Sequence, residues 1–475
     1  MRSHTLMIIF AAASLLCLDA APALASGGQA MLDGSALSLW WAMPFACMLL
    51  SIAILPLTLP VIWAEHFGKI ALFWALTFIV PCAVLFGPGL AFTELAHTLV
   101  LEYLPFLILL FALFTISGGV RLTGSLSGKP ASNTVILAIG TLLSSVMGTT
   151  GASMLLIRPL LRANEHREHK VHTVVFFIFL VSNIGGSLTP LGDPPLFLGF
   201  LKGVSFFWTT THLFSEMLFA SGTLLVLYYL LDLRMMRKET PRGPLKGRRH
   251  ALRLEGGVNM LLLLGVVGAV LLSGIWKPEI EFPAGPVIIA LQDLTRDGLL
   301  LALAGLSLLL TAKETREQNS FSWEPIEEVA KLFFGIFVTM IPAITMLKAG
   351  PSGAMREVIA LVSHDGVAVN HMYFWLSGIL SSFLDNAPTY LVFFNTAGGD
   401  AAQLMAEAPL TLAAISCGSV FMGANSYIGN APNFMVRSIA ESQGVKMPSF
   451  FGYMAWSVGI LIPLFLLVTV IFFRA

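Results

Sequence analysis

About twelve times between positions 38 and 473 the chain turns apolar and stays so for about 18–32 residues. A run of ~18 or more apolar residues is long enough to cross the ~30 Å hydrocarbon layer of a bilayer as a helix. In that layer every backbone N–H and C=O must be satisfied within the protein, which leaves helices and closed barrels. Barrel strands alternate apolar and polar residues over about ten positions, and these runs do not alternate. The expected fold is therefore an all-α polytopic membrane protein. Composition agrees: 56% of residues are hydrophobic and 11% charged, against ~25% charged in a soluble domain. The formal net charge is zero, which argues against nucleic acid as a partner and leaves the lipid bilayer. Cys17, Cys47, Cys82 and Cys417 stand singly in apolar surroundings, so neither a disulfide framework nor a zinc site is expected.

Residues 1–26 read as a signal peptide. Arg2 precedes an apolar core from Leu6 to Leu18, and Ala23-Leu24-Ala25 provides small residues before Ser26. An uncleaved first transmembrane helix is the alternative. Basic residues then set the topology. The loop 233–257 holds Arg234, Arg237, Lys238, Arg242, Lys246, Arg248, Arg249 and Arg253 and is expected to be cytoplasmic. The stretch "RPLLRANEHREHK" (158–170), Arg121 and Lys129 should lie on the same side. Both ends of the apolar run 133–157 then face the cytoplasm, which requires two short spans or a re-entrant hairpin. Residues 38–232 and 258–475 form two expected transmembrane repeats around the basic loop.

The repeats carry matching interruptions. "SSVMGTTGASMLL" begins at Ser144 and "SSFLDNAPTYLVF" at Ser381, 237 positions later (381 minus 144). "GSLTPLGDPPLFL" begins at Gly186 and "GANSYIGNAPNFM" at Gly423, again 237 positions later. Two polar, broken segments thus recur in the same order at one spacing. Counting crossings puts the second hairpin on the opposite face from the first, so the repeats are expected to be inverted. Interrupted apolar segments at corresponding places in two halves point to a transporter's binding site.

Breaks at Gly185-Gly186, Pro190 and Gly192-Asp193-Pro194-Pro195 free backbone groups at membrane depth. Such backbone is tolerated only inside protein or beside a water-filled cavity. Helix N-termini there attract anions, and unwound carbonyls attract cations. Asp193 and Asp385 add ionisable oxygens, which are costly in a membrane and mark function. Each could instead cap a helix. Around them stand Ser144, Ser145, Thr149, Thr150, Ser381, Ser382, Asn386 and Thr389 from the hairpins. The broken helices supply Ser182, Asn183, Ser187 and Thr189, then Asn425, Ser426, Asn430 and Asn433. Such hard oxygen donors suit Na⁺. A desolvated carboxyl group holds its proton more tightly than one in water, so a proton and Na⁺ can compete for Asp193 and Asp385.

Other charged residues read as peripheral. His166, His169 and His172 adjoin a basic loop; Glu94, His97 and Glu102 are expected at the interface, with Glu102 a candidate proton relay; Lys348 should snorkel. No H-E-x-x-H, P-loop or G-x-S-x-G pattern occurs, so enzymatic chemistry and ATP coupling lack a motif.

At these residues the sequence resembles the ion transporter superfamily. This includes D-type sodium/proton antiporters, arsenite permeases, citrate–metal symporters and divalent-anion/sodium symporters. "GTTGAS" (148–153) and "DNAPT" (385–389) look like its hairpin tips; "LGDPPLFL" (191–198) and "IGNAPNFM" (428–435) look like its paired helix breaks. "EYLPFLILLFALFTISGGVRLTG" (102–124) is similar to an early helix of the antiporter and arsenite branches. The resemblance covers the chain after residue 38. It implies an inverted-repeat, elevator-type, dimeric transporter, with cation positions near Ser145, Thr149, Thr150, Gly192-Asp193, Ser382, Asp385, Asn386 and Gly429-Asn430. The tips lack the Ser-Asn-Thr triplet of the dicarboxylate branch, and Leu196 stands where an Asn is expected. The expectation is a multi-pass transporter of the bacterial inner membrane exchanging Na⁺ for H⁺, with no cofactor. The alternative is a cation-coupled citrate or carboxylate carrier; arsenite efflux comes third.

Overall fold

The structure, a computed structural model, describes residues 31–124, 126–239, 251, 253–319, 321–364 and 367–474. The signal-peptide reading and most of the basic loop lie outside the described residues. Among these, nine helices are long and apolar enough to cross a membrane. A tenth span results if the pair Ala401–Glu407 and Pro409–Asn425, bent by 111°, is counted as one. The chain is an all-α, multi-span membrane protein with broken and bent helices. The described residues also contain three short two-stranded antiparallel ribbons.

The residues divide into two compact units. The first takes the described residues up to Phe111, with Gly268–Ala302 and Ser322–Met355. Its helices Met43–Thr58 and Pro60–Leu85 pack together, and both pack on Glu324–Lys348. Gly335 allows a close approach to Ala71, since a Cβ there would lie 2.9 Å from the Ala71 Cβ. Phe78, Cys82, Val338, Ile341 and Met346 form the adjoining core. Only 22% of the most apolar stretch of Pro60–Leu85 is buried, and Val61, Phe73 and Val84 are exposed. In water such a face would drive association; in a membrane it meets lipid.

The span Pro88–Ser117 holds a π-helical turn at Leu99–Tyr103, which includes Glu102. Tyr103 Oη donates to the Ala330 carbonyl at 2.9 Å. Glu94 is buried, and its Oε1 accepts the Leu32 amide at 2.7 Å. Glu94, His97, Glu102 and Lys348 line a cavity of about 290 Å³ in this unit. The interfacial and snorkelling readings of these groups did not foresee that shared cavity.

The second unit takes Ala112–Val267, Leu303–Phe321 and the described residues from Arg356 onward. Ten of its helices are labelled here: α1 Pro130–Met147, α2 Thr149–Ala163, α3 Val171–Leu180, α4 Pro194–Leu201 and α5 Trp208–Met236, then α6 Asn370–Phe383, α7 Asn386–Thr396, α8 Pro409–Met422, α9 Ala431–Ser442 and α10 Phe450–Phe472. The run 133–157 is two helices joined at Gly148, whose φ of 80° suits glycine. At the corresponding place Leu384-Asp385 joins α6 to α7.

The 237-residue spacing holds for the backbone. Asp193 (φ −145°, ψ 143°) begins α4, and Asn430 (φ −154°, ψ 138°), 237 positions later, begins α9. Thr149 begins α2, and Asn386, at the same offset, begins α7. Before α4 and α9 the chain passes through short 3₁₀ turns, Ile184–Leu188 and Gly423–Asn425. In the packing, α2 lies on α9 and α7 on α4, so each hairpin's second arm meets the other half's broken helix. Helix α3 shows why these segments are so apolar: the span Val171–Leu188 is 94% buried.

Candidate functional site

Each break is held open by hydroxyls. Ser145 Oγ donates to the Gly185 carbonyl at 2.5 Å and accepts the Leu188 amide at 3.2 Å. Ser382 Oγ donates to Gly378 O at 2.8 Å and to Met422 O at 3.1 Å, and accepts from Asn425 Nδ2 at 2.9 Å. Thr189 Oγ1 donates to Ser145 O, and Ser426 Oγ donates to Ser382 O, each at 2.5 Å. These bonds satisfy backbone groups that unwinding would leave bare inside the membrane. Ser144 and Ser381 likewise donate to Val181 O and Ser419 O, each at 2.6 Å. Gly192 and Gly429 permit the tight crossing. A Cβ on Gly192 would lie 2.1 Å from Gly186 O, and one on Gly429 would lie 2.6 Å from Gly423 O.

The four first turns meet at one carboxylate. Asp193 is 1% exposed. Its Oδ1 accepts from Thr149 Oγ1 at 3.0 Å and from Asn430 Nδ2 at 3.1 Å. Its Oδ2 accepts from Asn386 Nδ2. Thr149 and Asn386 are the first residues of α2 and α7; Asp193 and Asn430 cap α4 and α9. Each of these helix starts carries a partial positive charge. No salt bridge to Asp193 occurs among the described residues, so neutral donors alone hold the buried carboxyl group.

A second ring supports the first. Asn430 Nδ2 also reaches Ser182 O at 3.1 Å and Asn183 Oδ1 at 3.3 Å. Asn183 Nδ2 donates to Asn433 Oδ1 at 2.7 Å and to Ile178 O at 2.8 Å. Asn433 Nδ2 returns to Gly423 O and Ser426 O at 2.8 and 2.9 Å. Ser153 and Ser182 share a hydroxyl contact of 2.9 Å. Buried Asn386 Oδ1 and Asn425 Oδ1 have no hydrogen-bond partner among the described residues, leaving two acceptors open.

Of the residues expected at the site, Thr149, Asp193, Asn386 and Asn430 touch directly, with Ser182 and Asn183 one contact away. Ser145, Ser382, Gly192, Gly429 and Asn425 shape the breaks. Thr150 stands, partly exposed, in the first turn of α2. Asp385 is partly buried, and its Oδ1 accepts the Ala387 amide at 3.1 Å, capping α7.

The paired cluster at the other end of the unit had no forerunner in the motifs. Buried Asp232 forms an ion pair with Arg167 Nη2 at 2.6 Å and accepts hydrogen bonds from His172 Nε2 at 2.8 Å and Asn133 Nδ2 at 3.1 Å. Of the three His residues noted in the sequence, His172 is therefore a hydrogen-bond partner of Asp232. Among the described residues no group of three or more His, Cys, Asp or Glu is placed to hold a metal ion.

Comparison with known proteins adds one match. The family described as "Putative citrate transport" aligns with residues 34–473, nearly the whole chain. No curated protein matches it.

Proposed function

Since the chain belongs to that citrate-transport family, we propose that it is a cation-coupled carboxylate transporter whose site is the meeting point around Asp193. The observation that carries this reading is the carboxyl group held by the side chains of Thr149, Asn386 and Asn430, without a cationic side chain. A cradle that binds its own carboxylate has the chemistry to bind a substrate's. Two carboxylates cannot share it while both are charged. A proton or Na⁺ that neutralises Asp193 frees the donors, and this couples the ion to the substrate. The open acceptors Asn386 Oδ1 and Asn425 Oδ1 are hard oxygens fit for Na⁺.

The repeated hairpins support an inverted-repeat transporter. Helix α7, of 11 residues, is about 16 Å long at ~1.5 Å per residue, too short to cross ~30 Å of hydrocarbon. It therefore suits a re-entrant arm. The elevator mode implied by the resemblance makes the unit that holds this site the travelling part. Sodium/proton exchange is the second reading, favoured by a buried ionisable carboxyl group at Asp193 with no basic partner among the described residues. It has lost ground as a two-carboxylate mechanism because Asp385 is engaged in capping α7.

Proteoliposomes with an internal pH dye and labelled citrate separate the two. Citrate accumulation under an imposed Na⁺ or proton gradient is the expected result. A Na⁺ pulse that moves protons with no organic anion present, and no citrate uptake, would assign the protein to exchange.

A further inference from the structure

In the second unit a cavity of about 260 Å³ is lined by Arg121, Arg158, Arg162, Gln318, Asn319 and Gln443, with Met154, Leu155 and Pro159 completing one wall. None of its lining residues is acidic. Arg121 is neutralised by Glu255 at 3.0 Å. Arg162 Nη2 donates to the Leu122 carbonyl at 3.0 Å, a neutral partner. Arg158 forms no ion pair among the described residues, and its Nη1 is buried without a hydrogen-bond partner. Arg158 and Arg162 are four positions apart on α2, where like charges repel.

Arginines near the C-terminus of a helix can serve simply to offset its dipole. Arg158 is partly exposed, but that role does not account for its buried Nη1. A donor offsetting the dipole would reach the terminal carbonyls, and a snorkelling one would reach water. The buried Nη1 does neither. A burial cost of this kind is recovered when an anion arrives.

The cavity is placed along the helices that build the central site. Thr149 at one end of α2 touches Asp193, while Arg158 is nine residues along the same helix, about 14 Å away at ~1.5 Å per residue. Gln443 caps the far end of α9, whose near end is Asn430. The two helices lie side by side. We propose that this arginine-lined cavity is a second binding site for a soluble polycarboxylate, a holding position from which the anion reaches, or leaves, the Asp193 cradle. The proposal rests on the carboxylate reading above. Two guanidinium forks suit a multivalent oxyanion, since each can bind two oxygens in one plane. A lipid phosphate offers related chemistry, and the test must tell the two sources apart.

Equilibrium dialysis of labelled citrate against the purified full-length protein provides that test. Wild type is expected to bind citrate in two classes of site, one of them strongly weakened by salt. Arg158→Gln/Arg162→Gln should weaken the salt-sensitive class by about tenfold or more, the effect of losing charge-assisted hydrogen bonds. Its retained tight class would show that the variant folds. Arg158→Lys/Arg162→Lys should recover part of the loss. Asn386→Ala/Asn430→Ala should abolish the other class alone. If those asparagine changes leave binding untouched while the arginine changes remove it, the central reading fails and the arginine site stands. An isotherm unchanged by Arg158→Gln/Arg162→Gln overturns this inference and leaves the central reading intact. Repeating the measurement in nanodiscs supplies the last arm. Salt-sensitive citrate binding should survive the addition of phosphatidylglycerol; if the anionic lipid abolishes it, the occupant is a headgroup and the inference is overturned.

Discussion

Asp193 and Asp385 occupy comparable places in the sequence, each beside a break in an apolar helix, yet their carboxylates do different work. Asp193 gathers donors from three other segments, whereas Asp385 accepts the amide two residues ahead. Asp193→Asn removes the charge on which coupling depends, so accumulation of citrate against a gradient should fall to background in proteoliposomes. Full accumulation would exclude Asp193 as the coupling group. Asp385→Asn should leave transport intact, because asparagine caps a helix as well as aspartate does. Asp385→Ala should cost about 1 kcal/mol of stability, read as a lower thermal midpoint in detergent; loss of transport in the Asn variant would instead restore an ionic role. The sequence could not separate these two aspartates, since a carboxylate before a helix looks alike whether it caps that helix or serves another. Nor could it show Asn183 and Asn433 paired, because 250 positions lie between them and nothing local fixes their facing.

The elements were more legible than the contacts. Gly185-Gly186, Pro190 and Pro194-Pro195 cannot continue a helix cheaply; α3 ends just before them at Leu180, and α4 starts at Pro194. The recurrence at 237 positions placed α6–α10 from α1–α5 because an equal insertion-free spacing carries the same breaks. What spacing could not give is how α2 comes to lie on α9, or that Arg121, Arg158 and Gln443 face one cavity. The glycines at the crossings are testable. Gly192→Ala and Gly429→Ala push a Cβ into backbone oxygen, which cannot swing aside, so each should cost about 1–3 kcal/mol. Gly192, with the closer approach, should cost more in a thermal-shift measurement; no change in either variant would mean that the crossing is looser than described. At the end of α5, Glu239 accepts the Glu168 and His169 amides at 2.9 and 2.8 Å. Burial works to raise its pKa, but these amides and nearby Arg167 prevail and hold it below the ordinary glutamate value. A lowered folded-state pKa stabilises above the unfolded value and loses that contribution as pH falls. Protection of the Glu168 and His169 amides, taken relative to their intrinsic exchange rates, should therefore fall as pH drops below the usual carboxylate range near ~4.3; unchanged protection there would remove Glu239 as the anchor.

At the scale of the whole molecule, polarity is concentrated in a few buried clusters while lipid-facing helices such as Pro60–Leu85 remain greasy. The cluster at Asp232 ties the segment between α2 and α3 to α5. Arg167→Ala strands the buried Asp232, at a cost of about 3–5 kcal/mol. The double change Arg167→Ala/Asp232→Ala should be milder, as a thermal-unfolding cycle would show; equal losses would place the effect elsewhere. The carboxylate at Asp193 has a bearing on turnover. A carrier must make its return crossing without cargo, and bare amides would then face hydrocarbon with nothing to answer them. On the proposed carboxylate reading the cradle takes its own tethered counterpart along, so loading becomes a swap of one acid group for another, and the substrate is held only by the margin between the two.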